Sequence, residues 1–126
     1  MPAHSFDYAI IRLTPRIERG ESINVGVVVF CRTKRFLAAP TYCDLARLQA
    51  LDPACDMTTI QEHLAVFTAV ALGDSVAGPI ATLPLAERFH WLVAPRSTII
   101  ATGPVHCGLC DDPQLVVTQL LHKLVH

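Results

Sequence analysis

The distribution of hydrophobic positions predicts three β-strands in the first third of the chain. Aromatic and β-branched residues dominate the segments from Phe6 to Leu13 and from Ile23 to Cys31, a composition that strands favour. The polar segment between them, TPRIERGES, contains Pro15 and Gly20, as a hairpin loop commonly does. A third, short strand is predicted from Phe36 to Ala39.

The period of the pattern becomes helical in the middle of the chain. A short helix is predicted to begin at Asp44 and to stop at Pro53. A longer helix follows, with Thr58 or Thr59 as its N-cap and Gly73 at its end. Its apolar face is formed by Ile60, Leu64, Phe67 and Ala71.

The hydrophobic pattern in the last third of the chain predicts two further helical segments and one strand. LAERFHWLV is expected to form one or two helical turns that end before Pro95, and residues Ser97 to Ala101 are expected to form the last strand. The final helix begins at Pro113 with Asp112 as N-cap. Its apolar stripe consists of Val117, Leu120, Leu121 and Leu124.

These elements predict a single domain, residues 1–126, of the α+β class. We expect a small antiparallel sheet, made of the N-terminal hairpin plus a later strand, with helices packed on one face. The pattern shows no repeat and no linker. An exposed edge strand in so small a sheet could support a homodimer.

Composition narrows the function classes. Hydrophobic residues make up 52% of the chain and charged residues 17%, which excludes intrinsic disorder. The net charge of -1 argues against nucleic-acid binding, which usually requires a basic excess. The longest apolar run, 25–31, is too short to cross a bilayer, which takes about 20 residues. Without a recognisable secretion signal the chain is predicted to be cytoplasmic, and its five cysteines predict no disulfide framework.

Two of those cysteines have the spacing found in redox dithiols and in zinc sites. Cys107 and Cys110 form a CxxC motif with His106 beside it, so a redox dithiol or part of a zinc site are the alternatives to consider. Asp111 and Asp112 follow directly and disfavour a thiolate. No second ligand pair completes a zinc site. The pattern therefore favours two ordinary cysteines, and no metal or cofactor is predicted.

The first hairpin carries a more informative group of polar residues. Arg12 and Asn24 are expected to lie opposite each other on one face, with Glu21 in the loop at the end of that face. Gly26 would let a second backbone or a ligand approach closely. The group is either a ligand site or a structural set in which Arg12 pairs with Glu21 and Asn24 bonds across the hairpin.

A second polar group follows the middle of the chain, in RFHWLVAPRSTII. The guanidinium groups of Arg88 and Arg96 can each grip a carboxylate or a phosphate with two parallel hydrogen bonds. Ser97 and Thr98 add hydroxyl groups. A small anion or an acidic segment of a partner is the chemistry that this group favours.

These segments together resemble a known family. DYAIIRLTPRIERGESINVGVVVF, ERFHWLVAPRSTII and PVHCGLCDDP strongly resemble the bacterial DUF3037 family, a domain of unknown function, from end to end. The resemblance implies that HipA-like kinases are often encoded nearby. The polar pattern of the family falls on Arg12, Glu21, Asn24, Gly26, Arg88, Trp91, Arg96, Ser97, Thr98 and His106. Relatives commonly have H-T-G-L-C here, so a family function would not require the Cys107 thiol.

We therefore expect a small cytoplasmic accessory or binding protein that is not an enzyme. It would act through a protein partner, and the resemblance implies that this partner is a HipA-like kinase. Arg88, Trp91 and Arg96 would form the contact patch, because Trp and Arg are enriched at interface hot spots. On this hypothesis, Arg96→Ala abolishes co-purification with the kinase.

The alternative is an enzyme or sensor for a small anionic ligand that carries phosphate or carboxylate. Arg12, Arg88 and Arg96 would bind the anion, with His106 as general acid or base and Glu21 as its counterpart. This alternative requires the two polar groups to meet around one pocket.

Overall fold

The computed structural model describes residues 4–96 and 98–126. Ser97, which was expected to bind a ligand or partner and to begin the last strand, lies outside the described residues. The strands are β1 (His4–Leu13), β2 (Ile23–Cys31), β3 (Phe36–Ala38), β4 (Ile100–Thr102) and β5 (His106–Cys110). The α-helices are α1 (Leu45–Leu51), α2 (Met57–Leu72), α3 (Leu85–Val93) and α4 (Pro113–Leu120), and a π-helical turn, Leu121–Val125, continues α4.

All strands belong to one antiparallel sheet, in the order β3-β2-β1-β4, with β5 also paired to β1. The long strand β1 is central. On one side it pairs with β2. On the other side its N-terminal part, residues 4–8, pairs with β5, and its C-terminal part, residues 11–13, pairs with β4. The predicted α+β class and its antiparallel sheet are confirmed.

A β-bulge distorts the β1–β2 hairpin next to the polar residues. Ile11 lies opposite Gly26 and Arg12 lies opposite Asn24, so Val25 is an extra residue in β2. The strand bends at such a point. The segment after β3 packs there, because Gly26 forms an isolated bridge with Thr41.

Three helices cover one face of the sheet, as expected. The main core lies between that face and α1, α2 and α3, and it includes Ile11 and Leu13 of β1, Phe30 of β2 and Leu92 of α3. Ile11, Leu13 and Leu92 are fully buried. Burial of a side chain of this size contributes roughly 1.5–3 kcal/mol, which fixes which face of β1 points inwards.

The fourth helix lies on the opposite face, so the prediction that helices pack on one face holds for α1, α2 and α3 and has to be corrected for α4. Val27 and Val29 alternate with the inward residues of β2 and form a second core with Val117 of α4 and Val125 of the π-helical turn. The cause is the composition of β2, which is buried on both sides. A strand without polar alternation requires cover on each face.

Most of the predicted boundaries agree with the structure to within two residues. The cap of α2 is Asp56, whose carboxylate accepts the N–H of Thr58, instead of Thr58 or Thr59. The last predicted strand, from Ser97 to Ala101, is observed as β4 at Ile100–Thr102, and β5 was not predicted as a strand. Gly73 ends α2 in the left-handed conformation, with φ of 71°, as predicted.

Candidate functional site

Arg12 and Asn24 lie opposite each other on the face covered by α4, as the hairpin pattern predicted. The Asn24 amide, however, donates a hydrogen bond of 3.0 Å to the carbonyl of Leu124 in the π-helical turn. It therefore holds the C-terminal turn on the sheet, and it does not bond across the hairpin. The exposed Arg12 guanidinium lies beside Gly103, with its Cζ 3.1 Å from the position that a Cβ would occupy there.

Glu21 and His106 take no part in a shared site with Arg12. The Glu21 carboxylate accepts a hydrogen bond from Arg19, and both side chains are about half exposed. His106 lies opposite Tyr8 across the sheet, with ring centroids 5.3 Å apart. Tyr8 and Arg12 are four residues apart on β1, which is roughly 13 Å along a strand. An acid–base pair of His106 and Glu21 has no support in this geometry.

The second polar group, in α3 and the segment after it, lies on the face of the sheet that α1, α2 and α3 cover. Arg88 donates a hydrogen bond of 2.7 Å to the carbonyl of Leu83, and the Thr98 hydroxyl donates to the carbonyl of Ile100. The half-buried Trp91 packs against the main core. The sheet therefore separates this group from Arg12 and His106, and the structure does not bring the two polar groups around one pocket.

Arg96 closes the C-terminal end of α3. Its guanidinium donates to the carbonyls of Trp91 at 2.6 Å, Leu92 at 2.9 Å and Ala94 at 3.3 Å. The last carbonyls of a helix have no intrahelical partner, and Pro95 prevents the helix from continuing. Arg96 thus binds backbone oxygens where a carboxylate or phosphate was expected.

Aromatic rings enclose the same guanidinium. Its Cζ lies 4.6 Å from the ring centroid of Trp91 and 5.1 Å from that of Phe67. Burial lowers the pKa of Arg96, but an arginine stays charged at any physiological pH. Among residues 4–96 and 98–126, no ion pair involves Arg96, so the protein groups that stabilise its charge there are carbonyl dipoles and ring faces.

One side of Arg96 forms part of the wall of an apolar groove of about 550 Å³. We call it the α2–β4 groove. It is lined by Ile17, His63, Val66, Phe67, Arg96, Thr98, Ile99 and Ile100. Ile17 and Val66 are 54% and 41% exposed, so both side chains contribute accessible apolar surface to the groove.

Sequence reasoning did not identify this groove, although two signals pointed to it. Val66 lies outside the apolar stripe of α2, and Ile17 is the one aliphatic residue in the polar hairpin loop. Each departs from the local pattern. Their convergence depends on the position of the hairpin loop beside α2, which no local pattern encodes.

The CxxC motif lies on β5, and successive residues of a strand point to opposite faces of the sheet, so residues three apart do as well. The Cys107 thiol is exposed and donates a hydrogen bond of 3.2 Å to Asp7, whereas Cys110 is buried in the second core. Two thiols on opposite faces cannot form a dithiol or bind one metal ion together. Within residues 4–96 and 98–126, no cluster of three His, Cys, Asp or Glu residues could hold a metal.

The contact with Asp7 predicts a slow reaction of Cys107 with alkylating reagents. The hydrogen bond to the Asp7 carboxylate, and then its negative charge, raise the pKa of the Cys107 thiol. Asp7→Asn should lower this pKa and speed alkylation of Cys107 by iodoacetamide several-fold at neutral pH. Peptide mass spectrometry would follow the rate, with Asp111→Asn as the control because Asp111 does not shift this thiol. Equal rates in both variants would contradict the assignment.

The part of the chain that the structure describes contains no helix of the length and hydrophobicity that crossing a membrane requires.

Comparison with known protein families gives a match over nearly the whole chain. The model of the family described as "Protein of unknown function (DUF3037)" matches residues 8–125, which include β2, all four helices and most of β1. Curated proteins and solved structures gave no match. With nearly its whole length inside the family model, the chain belongs to the DUF3037 family.

Proposed function

We propose that this chain is a binding protein whose α2–β4 groove receives an apolar segment of a partner protein that also carries a carboxylate. The observation that carries the proposal is the groove itself, an apolar recess with the guanidinium of Arg96 in its wall. The two exposed side chains at its rim, Ile17 and Val66, would be covered by the partner.

The charges of the groove indicate the chemistry of the segment. His63 and Arg96 are the only titratable side chains among the described residues that line it, and neither is acidic. Arg96 already uses its guanidinium on three carbonyls and lacks a carboxylate partner in the described chain. An acidic group next to the bound apolar side chain would complement this charge.

A larger recess of about 650 Å³ fits this role less well. It lies between α2 and residues 41–43, and its lining includes Gln61, Thr68 and Asp74 but no cationic side chain. Two of these polar groups already have structural partners. The Thr68 hydroxyl donates to the carbonyl of Ala39, and Asp74 accepts the N–H of Val76.

A charge placed at the rim of the groove tests the proposal. We expect Val66→Asp to reduce recovery of the partner at least tenfold, because a buried carboxylate beside apolar side chains is strongly unfavourable. Affinity purification from the native host, followed by mass spectrometry, would measure recovery. A HipA-like kinase is the first partner to look for, since the family resemblance implies it.

The matched control is Leu72→Asp. Leu72 lies on the same helix and is 70% exposed, but it is not part of the α2–β4 groove. This variant should retain the partner. Loss of the partner in both variants, or in neither, would contradict a site in the groove. Thermal melts of both variants would show that the fold is intact.

A further inference from the structure

The outer edge of β5 has backbone groups without a ladder partner in the described chain. Thr14 N donates to Ile99 O and Gly103 N donates to Ile10 O. The backbone N–H and C=O groups of the even-numbered residues of β1 therefore point towards β4 and β5. Opposite residues in an antiparallel pair alternate between bonded and non-bonded positions. With Phe6 opposite Gly108, the bonded residues of β5 are His106, Gly108 and Cys110.

The two remaining residues of β5 therefore direct their N–H and C=O groups outwards. These residues are Cys107 and Leu109, and together they present four hydrogen-bonding groups to solvent. Natural proteins usually protect such an edge with lysine, proline or a bulge. Between His106 and Cys110 none of these is present, and Leu109 is 68% exposed.

We propose that two copies of this chain pair antiparallel through β5, with the two-fold axis at Gly108. In this register Cys107 lies opposite Leu109 of the partner subunit, and Leu109 lies opposite the partner's Cys107. Both pairs use outward groups only, so the four groups of each copy are satisfied at once. The two five-stranded sheets become one continuous sheet.

The composition of the edge favours a second copy as the occupant. Residues 106–110 contain no lysine, arginine, aspartate or glutamate, so two copies meet without opposing like charges. The antiparallel pairing also keeps the acidic pair Asp111 and Asp112 of each copy at opposite ends of the interface. A two-fold interface requires a surface that is complementary to itself, and this strand meets that condition.

Gly108 makes the axis sterically accessible. Residues in a non-bonded antiparallel pair approach to about 4.5 Å between Cα atoms. A glycine at the axis puts no side chain there, and the ring of Phe6 already fills the space where a Cβ would be, with Cζ at 2.6 Å. The side chains nearest to the axis are those of Cys107 and Leu109, each one residue away from Gly108 along the strand.

The first test is the mass of the protein in solution, measured by light scattering and sedimentation over a concentration series. The wild type should have the mass of two chains, and Leu109→Pro should have the mass of one. Proline removes only the outward N–H of Leu109, and edge strands tolerate proline there. A monomeric wild type would overturn the proposal, as would a folded Leu109→Pro variant that stays dimeric.

Disulfide trapping tests the register and does not depend on the proline variant. In Leu109→Cys, the introduced thiol faces the partner's Cys107 across a bonded pair with Cα atoms about 5.5 Å apart, which a disulfide can span. Oxidation with diamide should give covalent dimers. The wild type should not, because the two Cys107 residues are offset by roughly 7 Å along the strands.

The control for trapping is Val105→Cys, which places a thiol directly before β5. If the pairing is extended by one residue, position 105 lies opposite Asp111 of the partner subunit. This variant should stay monomeric on denaturing gels after oxidation. Dimers from Val105→Cys or from the wild type, without dimers from Leu109→Cys, would overturn the two-fold axis at Gly108.

Discussion

Gly26→Ala is expected to lower the free energy of unfolding by about 2–3 kcal/mol, the upper range for overpacking in a core. An added Cβ would lie 2.6 Å from the carbonyl oxygen of Pro40 and 3.1 Å from Ile11 and Thr41. Pro40 cannot retreat easily, because its carbonyl accepts the N–H of Val27. Urea denaturation of the two proteins would measure the loss.

The matched control is the same substitution at Gly103. The three atoms nearest to a Cβ there all belong to the guanidinium of Arg12, with Cζ at 3.1 Å, and this group is the end of a flexible, exposed side chain. Gly103→Ala should therefore cost less than about 1 kcal/mol. Equal losses at the two glycines would show that the contact with Pro40 is not what constrains Gly26.

Arg96→Ala is expected to be at least as damaging, with a loss of about 3 kcal/mol in the free energy of unfolding. The substitution leaves three carbonyls at the end of α3 without their donor, and hydrogen bonds to a charged group contribute about 1.5–3 kcal/mol each, less than additively. Contacts with the rings of Trp91 and Phe67 are lost as well. The fluorescence of Trp91, the single tryptophan of the chain, would report both the local change and the unfolding transition.

Two other substitutions test whether the loss of stability in Arg96→Ala comes from the hydrogen-bonding geometry of the Arg96 cap. Arg96→Lys keeps the charge but cannot reach three carbonyls with a planar group, so it should recover only part of the loss. Arg16→Ala removes an arginine from an exposed ion pair, 3.7 Å from Glu18, and should change stability by less than about 0.5 kcal/mol. A loss at Arg16 as large as that at Arg96 would contradict the assignment of Arg96 as a cap.

The structural role of Arg96 changes how partner binding has to be tested. The sequence suggested Arg96→Ala as the variant that abolishes co-purification. Because the side chain holds the end of α3, its loss would weaken binding through the fold even if no partner touches it. Exposed positions such as Val66 separate the two effects.

The strands of the hairpin and the helix ends were predictable because each has a local cause. Val27 and its neighbours favour a strand in any context, and Gly73 and Asp112 provide local termination and capping signals. The strand β5 was missed because Gly108 and two cysteines favour no element on their own. It forms by pairing with β1, which is a contact between distant parts of the chain.

The candidate site was less predictable for a related reason. The sequence showed that Asn24, Arg88 and Arg96 have strong donors, but not which acceptors they reach. All three bind backbone carbonyls, and these acceptors are available only after α3 and the π-helical turn have formed. Sequence patterns identify side-chain chemistry, whereas partner choice is decided by tertiary structure.

The position of α4 on its own face of the sheet has a consequence for synthesis on the ribosome. All five strands precede α4 along the chain, so the apolar side chains of Val27, Val29 and Cys31 remain uncovered until α4 has left the exit tunnel. Exposed apolar surface on an incomplete domain is what chaperones bind and what promotes aggregation. The hydrogen bond from Asn24 to Leu124 joins residues 100 positions apart, so it can form only after the π-helical turn has been synthesised.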